Sequence, residues 1–249
     1  MTPSPDPPVP ASWAGFGPAE AIFFDLDDTL LEDNPATERC WTATLVEFAA
    51  LPAGLREEIR AVGEWFWSDA ARHRAGRADL HAATVQIVRE ALAALGCADE
   101  RLARAIAARY RALRDASMRL HDGAVETLAA LARRGHRLGL ITNGAALAQR
   151  RKLERFALAS HFEYIGIEGE VGVGKPEPAA YERALDALAV APRRAWMVGD
   201  NLVWDVQGAQ RAGLRAIWVD YRRTGLPPDP PALPDHVVHA VSELAPPPA

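Results

Sequence analysis

Four aspartates stand in two short motifs, each directly after an apolar run. Asp25 and Asp27 lie in FDLDDT, and Asp200 and Asp205 lie in GDNLVWD. Side chains at positions i and i+2 of a strand share one face, so Asp25 and Asp27 point the same way. Such a pair resists double ionisation unless a cation lies between the carboxylates. The spacing therefore indicates either a carboxylate nucleophile beside a carboxylic acid, or a magnesium site.

The neighbouring acids have simpler alternatives. Asp28 points to the other face and is expected to make local hydrogen bonds. Asp205, five residues after Asp200, could cap the helix that follows it. Taken with Asp25 and Asp27, however, Asp200 and Asp205 complete a charge-dense cluster of four acids that a hard cation would stabilise.

Two further segments suit a phosphate group. Thr142-Asn143-Gly144 follows an apolar run and opens a helix, where a hydroxyl, an amide and N–H groups can bind an anion. The alternative is an ordinary turn, because Thr-Asn-Gly is a common turn sequence. Lys175 lies in VGVGKPEP, a loop restrained by glycine and proline, and its alternative is a solvated lysine. One Mg²⁺ and Lys175 would return three of the four negative charges before a phosphate dianion arrives.

Alternating apolar and helical segments are expected to position these residues. The pattern predicts an α/β fold with a doubly wound parallel, Rossmann-like sheet, and the carboxyl ends of its strands form the ligand edge. The predicted strands cover 21–26, 137–142, 162–167, 195–199 and 215–219, with HVVHAV as a sixth edge strand, and the predicted helices cover 124–134, 145–156, 178–189 and 205–212.

A long helical stretch interrupts this alternation after the first strand. Residues 35–119 show helical periodicity, with breaks at Pro52–Gly54, Gly76 and Gly96–Cys97, and predict about four helices. The predicted organisation is a proline-rich disordered arm at 1–19, a catalytic core at 20–34 and 120–249, and a helical cap at 35–119. Because the insertion leaves the ligand edge, we expect it to act as a lid over the site.

Composition excludes several classes of function. The 249 residues carry a net charge of −5, which argues against binding a nucleic-acid polymer. The two cysteines are too few for a disulfide framework or a zinc site. No apolar run predicts a membrane span, and no secretory signal precedes the first strand. We expect a cytoplasmic monomer or homodimer.

The four motifs together resemble the haloacid dehalogenase-like (HAD) hydrolase superfamily. FDLDDT matches DxDxT, ITN supplies the threonine, GVGKPEP the lysine, and GDNLVWD matches GDxxxxD. The inserted helices resemble the α-helical cap of subfamily I, and the motifs resemble its phosphatase branch. The resemblance implies that Asp25 is the nucleophile, that Asp27 is the general acid and base, and that Thr142, Asn143, Gly144 and Lys175 bind the phosphoryl group. It also implies a Mg²⁺ cofactor held by Asp25, the Asp27 carbonyl, Asp200 and Asp205, and a small phosphorylated metabolite as the substrate.

Three alternatives remain on the same fold. A haloacid dehalogenase would use the nucleophile without magnesium or the second aspartate, and the presence of Asp27 favours phosphoester hydrolysis instead. A phosphomutase would use the same carboxylates. A catalytically silent binding module would usually have lost one of the acids or Lys175.

Substrate choice is expected to depend on the helical insertion. The candidates are Trp41 and a basic turn around Gly76 that carries Arg72, His73, Arg74 and Arg77. The alternatives are that the tryptophans form the core of the insertion and that most of its arginines form a solvated face.

Overall fold

The structure is a computed structural model that describes residues 19–32 and 37–245. The predicted proline-rich arm, apart from Ala19, lies outside the described residues. The chain divides into two compact units, one formed by Met1–Glu32 with Leu120–Ala249 and the other by Asp33–Arg119.

The first unit contains a six-stranded parallel sheet, which confirms the predicted doubly wound α/β fold. Its strand order is β5-β4-β1-β6-β7-β8. The strands are β1 (Ala21–Phe24), β4 (Arg137–Thr142), β5 (Tyr164–Ile167), β6 (Ala195–Gly199), β7 (Arg215–Val219) and β8 (His236–Val238), while β2 (Leu31–Glu32) and β3 (Arg119–Leu120) form a separate two-stranded sheet. Every residue of β1 and β6 is buried, as the continuous apolar runs predict for strands covered on both faces.

Strand register brings the polar motifs to one edge. Phe24 at the end of β1 pairs with Val198 of β6 and with Leu140 of β4. The Asp25 N–H then donates to the Val198 carbonyl over 2.9 Å. Because the strands are parallel, the residues that follow β1, β4 and β6 emerge side by side, as the sequence predicts.

The helices around the sheet mostly match their predicted limits. They are α6 (Ala124–Arg133), α7 (Ala146–Arg155), α8 (Glu168–Val171), α9 (Pro178–Ala187) and α10 (Gly208–Arg211). The exception is the predicted helix at 205–212, because the chain there forms a π-helix over Leu202–Gln207 before α10 begins. Its wider turn is visible in the hydrogen bond from the Val206 N–H to the Asn201 carbonyl, five residues earlier.

The second unit has five described helices where the sequence predicted about four. They are α1 (Thr37–Leu45), α2 (Leu55–Ser68), α3 (Ala70–Ala78), α4 (Leu80–Ala94) and α5 (Glu100–Ser117). The additional helix arises because the Asp69 side chain accepts a hydrogen bond from the Arg72 N–H and caps α3 immediately after α2 ends.

The prediction of a flexible basic turn around Gly76 is therefore wrong. Gly76 is a buried helical residue of α3, and a Cβ there would lie 2.7 Å from the Phe66 ring and 2.8 Å from the Trp67 ring. Its lack of a side chain lets α3 pack closely against α2. A glycine that reads as a helix break in sequence thus serves as a packing site.

Among the described residues, no helix is long and apolar enough to cross a membrane.

Candidate active site

Three of the four predicted acids form one cluster at the carboxyl edge of the sheet. Asp25 follows β1, Asp200 follows β6, and Asp205 lies in the π-helix. One carboxylate oxygen from each lies within 4.8 Å of the others. Three convergent carboxylate oxygens are the kind of ligand set that a hard divalent cation prefers, so this cluster fits Mg²⁺.

Asp205 does not cap the helix, contrary to the alternative interpretation of this residue. Asn201 is the cap, and its side-chain oxygen accepts hydrogen bonds from the N–H groups of Val203 and Trp204, each over 3.0 Å. Asp205 instead turns back and accepts a 2.9 Å hydrogen bond from the Asn201 N–H.

Gly199 permits this close approach of Asp205. A Cβ at Gly199, the last residue of β6, would collide with the Asp205 carboxylate. The glycine of GDNLVWD therefore has a steric role, because any side chain there would push Asp205 out of the cluster.

Lys175 lies between two of the clustered acids. Its ammonium contacts Asp25 Oδ1 over 2.7 Å and Asp205 Oδ1 over 2.6 Å, and its side chain is only 1% exposed. The Asn143 side chain holds the Lys175 backbone in place, since its amide donates to the Lys175 carbonyl and its oxygen accepts from the Lys175 N–H, each over 2.8 Å. The alternative of a solvated lysine is therefore wrong.

Burial and charge shift the pKa values in this cluster. Burial raises the pKa of Asp25 to about 7, with Asp205 adding to the rise and Lys175 opposing it. Burial and the charges of Asp205 and Asp25 likewise raise the pKa of Asp200 well above its usual value. For Lys175, burial lowers the pKa, but Asp205 and Asp25 outweigh it and the net shift is upward. Without a cation, the cluster therefore resists full ionisation.

Three of the predicted phosphate-binding residues, Thr142, Asn143 and Gly144, already have hydrogen-bond partners. Thr142 at the end of β4 is buried, and its hydroxyl accepts a 2.7 Å hydrogen bond from Gln149. The Asn143 side chain is occupied by the Lys175 backbone, and the Gly144 N–H donates to a Glu168 carboxylate oxygen over 3.0 Å. A phosphate could use the Gly144 N–H only by displacing Glu168.

Asp27 is bound by two side chains that the sequence analysis missed. Lys152 of α7 contacts the two Asp27 carboxylate oxygens over 2.6 and 2.8 Å, and Gln149 donates to Asp27 Oδ2 over 2.9 Å. Residues three apart on a helix share a face. The sequence held one indication of this contact, a glutamine and a lysine with this spacing in the first turns of the predicted helix at 145–156.

With Lys152 included, the charge of the site changes. The four predicted carboxylates face two ammonium groups, those of Lys175 and Lys152. With all four carboxylates ionised, two negative charges remain, which is the charge that a single divalent cation would balance.

The specificity candidates of the helical unit make contacts within that unit. Trp41 of α1 stacks on Tyr110 of α5, with ring centroids 3.7 Å apart. The Arg72 guanidinium lies over the Trp65 ring at 3.9 Å and donates to the Trp65 carbonyl over 2.7 Å. These contacts agree with the interpretation of Trp41 as a core residue, and they give Arg72 a role in joining α2 to α3.

The other three candidates lie on α3. His73 packs edge-on against Trp67, at 5.1 Å between ring centroids, and contacts the Arg77 guanidinium over 3.5 Å. Arg74 is exposed. These positions place His73, Arg74 and Arg77 on a helix instead of the predicted turn.

Comparison with known proteins gives consistent matches. The sequence model of the haloacid dehalogenase-like hydrolases matches residues 19–213. A phosphoserine phosphatase of Thermus thermophilus is 40% identical over 244 residues, covering 90% of this chain and 96% of that protein. The N-acylneuraminate-9-phosphatase of Rattus norvegicus is 30% identical, covering 92% of this chain and 94% of that protein. The crystal structure of the putative HAD-hydrolase YfnB from Bacillus subtilis, bound to magnesium, is similar in fold, with a TM-score of 0.72, 20% identity and coverage of 92% and 97%.

Proposed function

Because the chain belongs to the haloacid dehalogenase-like hydrolases and is a phosphoric monoester hydrolase, we propose that it hydrolyses a small phosphorylated metabolite through an aspartyl-phosphate intermediate, with Mg²⁺ as cofactor. The observation that carries this proposal is the placement of Lys175 between Asp25 and Asp205 at the carboxyl edge of the sheet. Phosphoserine is the first substrate to test, because the Thermus relative is named for it.

In the first step, the Asp25 carboxylate attacks phosphorus. An Asp25 O–P bond forms, the bond from phosphorus to the leaving oxygen breaks, and Asp27 gives its proton to that oxygen. In the second step, Asp27 takes a proton from water, which attacks phosphorus and releases Asp25 and inorganic phosphate. Thr142 and Lys175 hold the transferring oxygens and spread their charge.

The acid cluster is the proposed magnesium site, with Asp25, Asp200 and Asp205 as its side-chain ligands and the Asp27 carbonyl as a further one. A bound Mg²⁺ would neutralise charge on the carboxylates and on the phosphoryl oxygens. Lys175 also carries positive charge beside Asp25 and Asp205, and it keeps Asp25 available for attack by opposing the rise of its pKa.

The proposal is tested by phosphate release from a panel of phosphorylated metabolites that includes phosphoserine and p-nitrophenyl phosphate. We expect turnover with Mg²⁺, its loss with a chelator, and no turnover by Asp25→Asn. Full turnover of phosphate esters by the metal-free protein would contradict the assignment of the acid cluster as a required Mg²⁺ site. The cytoplasmic location and the monomeric or dimeric state stay predictions.

A further inference from the structure

The Asp27 carboxylate has different contacts from the other three acids. Asp25, Asp200 and Asp205 converge on one another, whereas the Asp27 carboxylate receives two contacts from Lys152 and one from Gln149. A carboxylate offers about four lone-pair sites, so these donors occupy about three of them. The direction in which Asp27 can still exchange a proton is therefore restricted.

Both donors are fixed by the structure around them. The Gln149 residue is 2% exposed, and its amide nitrogen also donates to the Thr142 hydroxyl over 2.7 Å. The Lys152 side chain is 11% exposed. On a neighbouring face of α7, Arg150 forms a two-pronged ion pair with Glu170, with both N–O distances at 2.7 Å, which anchors the helix to α8.

Gln149 thus connects two parts of the proposed mechanism. One nitrogen binds the Thr142 hydroxyl, which is to hold a phosphoryl oxygen, and the Asp27 carboxylate, which is to move the proton. Fold stability alone is a weak reason for the Lys152–Asp27 contact, because pairing two partly desolvated charges gives little net stabilisation. Proton transfer, in contrast, requires the donor to be oriented within hydrogen-bond reach of the leaving oxygen.

We propose that Gln149 and Lys152 are positioning residues that orient the Asp27 carboxyl group for proton transfer to the leaving group. The inference rests on the proposed phosphatase function and deepens it, because it assigns the alignment of the acid to one face of α7. Neither residue touches the reacting atoms in this assignment, and both act through Asp27.

The test compares two esters of the panel in Lys152→Met, which removes the ammonium and keeps a long side chain. An alkyl ester needs a protonated leaving group, whereas p-nitrophenyl phosphate does not in the first step. We expect kcat/KM for the alkyl ester to fall about 10-fold or more, a part of the ~10²–10⁴-fold that acid–base catalysis supplies. The loss for the aryl ester is expected to be several-fold smaller, and Gln149→Leu should show the same asymmetry.

Two controls separate positioning from a structural effect. Arg151→Met removes an exposed positive charge from the next residue of the same helix and should leave both esters unchanged. In an Asp27→Asn background, Lys152→Met should add no further asymmetry, because residues that act as one unit are not additive. Crystal structures of the variants should show the Asp27 carboxyl group rotated from its present orientation.

Equal losses on the two esters, or an additive loss in the Asp27→Asn background, would overturn the inference while leaving the phosphatase function intact. Absence of turnover of every ester by the unmutated protein would overturn the proposed function itself, and the inference with it.

Discussion

At the scale of single residues, the site is a group of carboxylates that do not favour ionisation together. Burial raises the pKa values of both Asp25 and Asp200, although Lys175 opposes the rise at Asp25. Such an arrangement is unfavourable for the unliganded fold and favourable for binding a cation. Functional sites commonly contain groups whose pKa values are shifted in this way.

The first prediction concerns the pH dependence of Mg²⁺ binding. Because the pKa of Asp25 is about 7, this group holds a proton below that pH in the metal-free protein. Mg²⁺ requires the ionised form, so its affinity should rise as pH increases from 6 to 8, and binding should release protons. Calorimetry in buffers of different ionisation enthalpy measures both effects. An affinity that is constant over this pH range would contradict the assigned ligands.

The second prediction separates the two aspartates of FDLDDT. Asp25→Asn should abolish turnover of every ester, because it removes the proposed nucleophile. Asp27→Asn should lower kcat/KM for alkyl esters by about 10²–10⁴-fold and by less for p-nitrophenyl phosphate, whose leaving group needs no proton. Steady-state kinetics on both ester types provides the measurement. Identical losses on the two esters would mean that Asp27 has only a structural role.

At the scale of secondary-structure elements, the π-helix after β6 directs the Asp205 side chain toward the other acids of the cluster. Asn201 caps its N-terminus, and the missing side chain of Gly199 leaves room for the Asp205 carboxylate. Wide helical turns of this kind frequently occur at functional sites.

The third prediction tests this geometry with Gly199→Ala. The added methyl group would occupy the position of the Asp205 carboxylate. We therefore expect Mg²⁺ affinity and turnover to fall about 10-fold or more, at least the loss seen when a group that orients a metal ligand is changed. The control is Gly63→Ala in α2, where a Cβ meets nothing within 4 Å and activity should be unchanged. Normal Mg²⁺ affinity in Gly199→Ala would show that Asp205 is not a ligand.

At the scale of the whole molecule, the chain combines a sheet unit that contains the proposed active site with a helical unit built around its own apolar core. Phe66, Val88 and Ile106 are buried in that second core. The role of the helical unit in choosing the substrate stays a prediction. Among the specificity candidates, Trp41, Arg72 and His73 already pack against aromatic rings of the unit, which leaves Arg74 and Arg77 for the test.

The fourth prediction addresses this role with two sets of variants. Arg74→Ala and Arg77→Ala should lower kcat/KM for the true metabolite by about 10–200-fold if they bind its leaving group, and should affect p-nitrophenyl phosphate little. Arg104→Ala is the matched control, since this exposed residue pairs only with Glu100 among the ion pairs described for α5, an i,i+4 contact of small energy. Parallel losses on both substrates in the α3 variants would place specificity elsewhere.

Arg72→Ala should behave differently from its α3 neighbours. It removes a cation–π contact with Trp65 and a hydrogen bond to the Trp65 carbonyl, which together are worth about 1–2 kcal/mol. We expect lower thermal stability without a change in the ratio of the two kcat/KM values. A changed ratio at unchanged melting temperature would return Arg72 to the specificity candidates.

The sequence by itself determined the sheet and the order of its motifs, because apolar runs of strand length and the parallel connections between them leave few other arrangements. It also located Asp25, Asp200, Asp205 and Lys175 at one edge. Only the tertiary structure decided which groups meet there. The contact of Lys152 with Asp27 joins residues 125 positions apart, and the π-helix depends on a turn that helical periodicity alone does not resolve. Likewise, the sequence around Gly76 predicts a helix break, because glycine occurs both in flexible turns and at sites of close packing. Only the packing of the α2 rings against Gly76 shows which of the two applies.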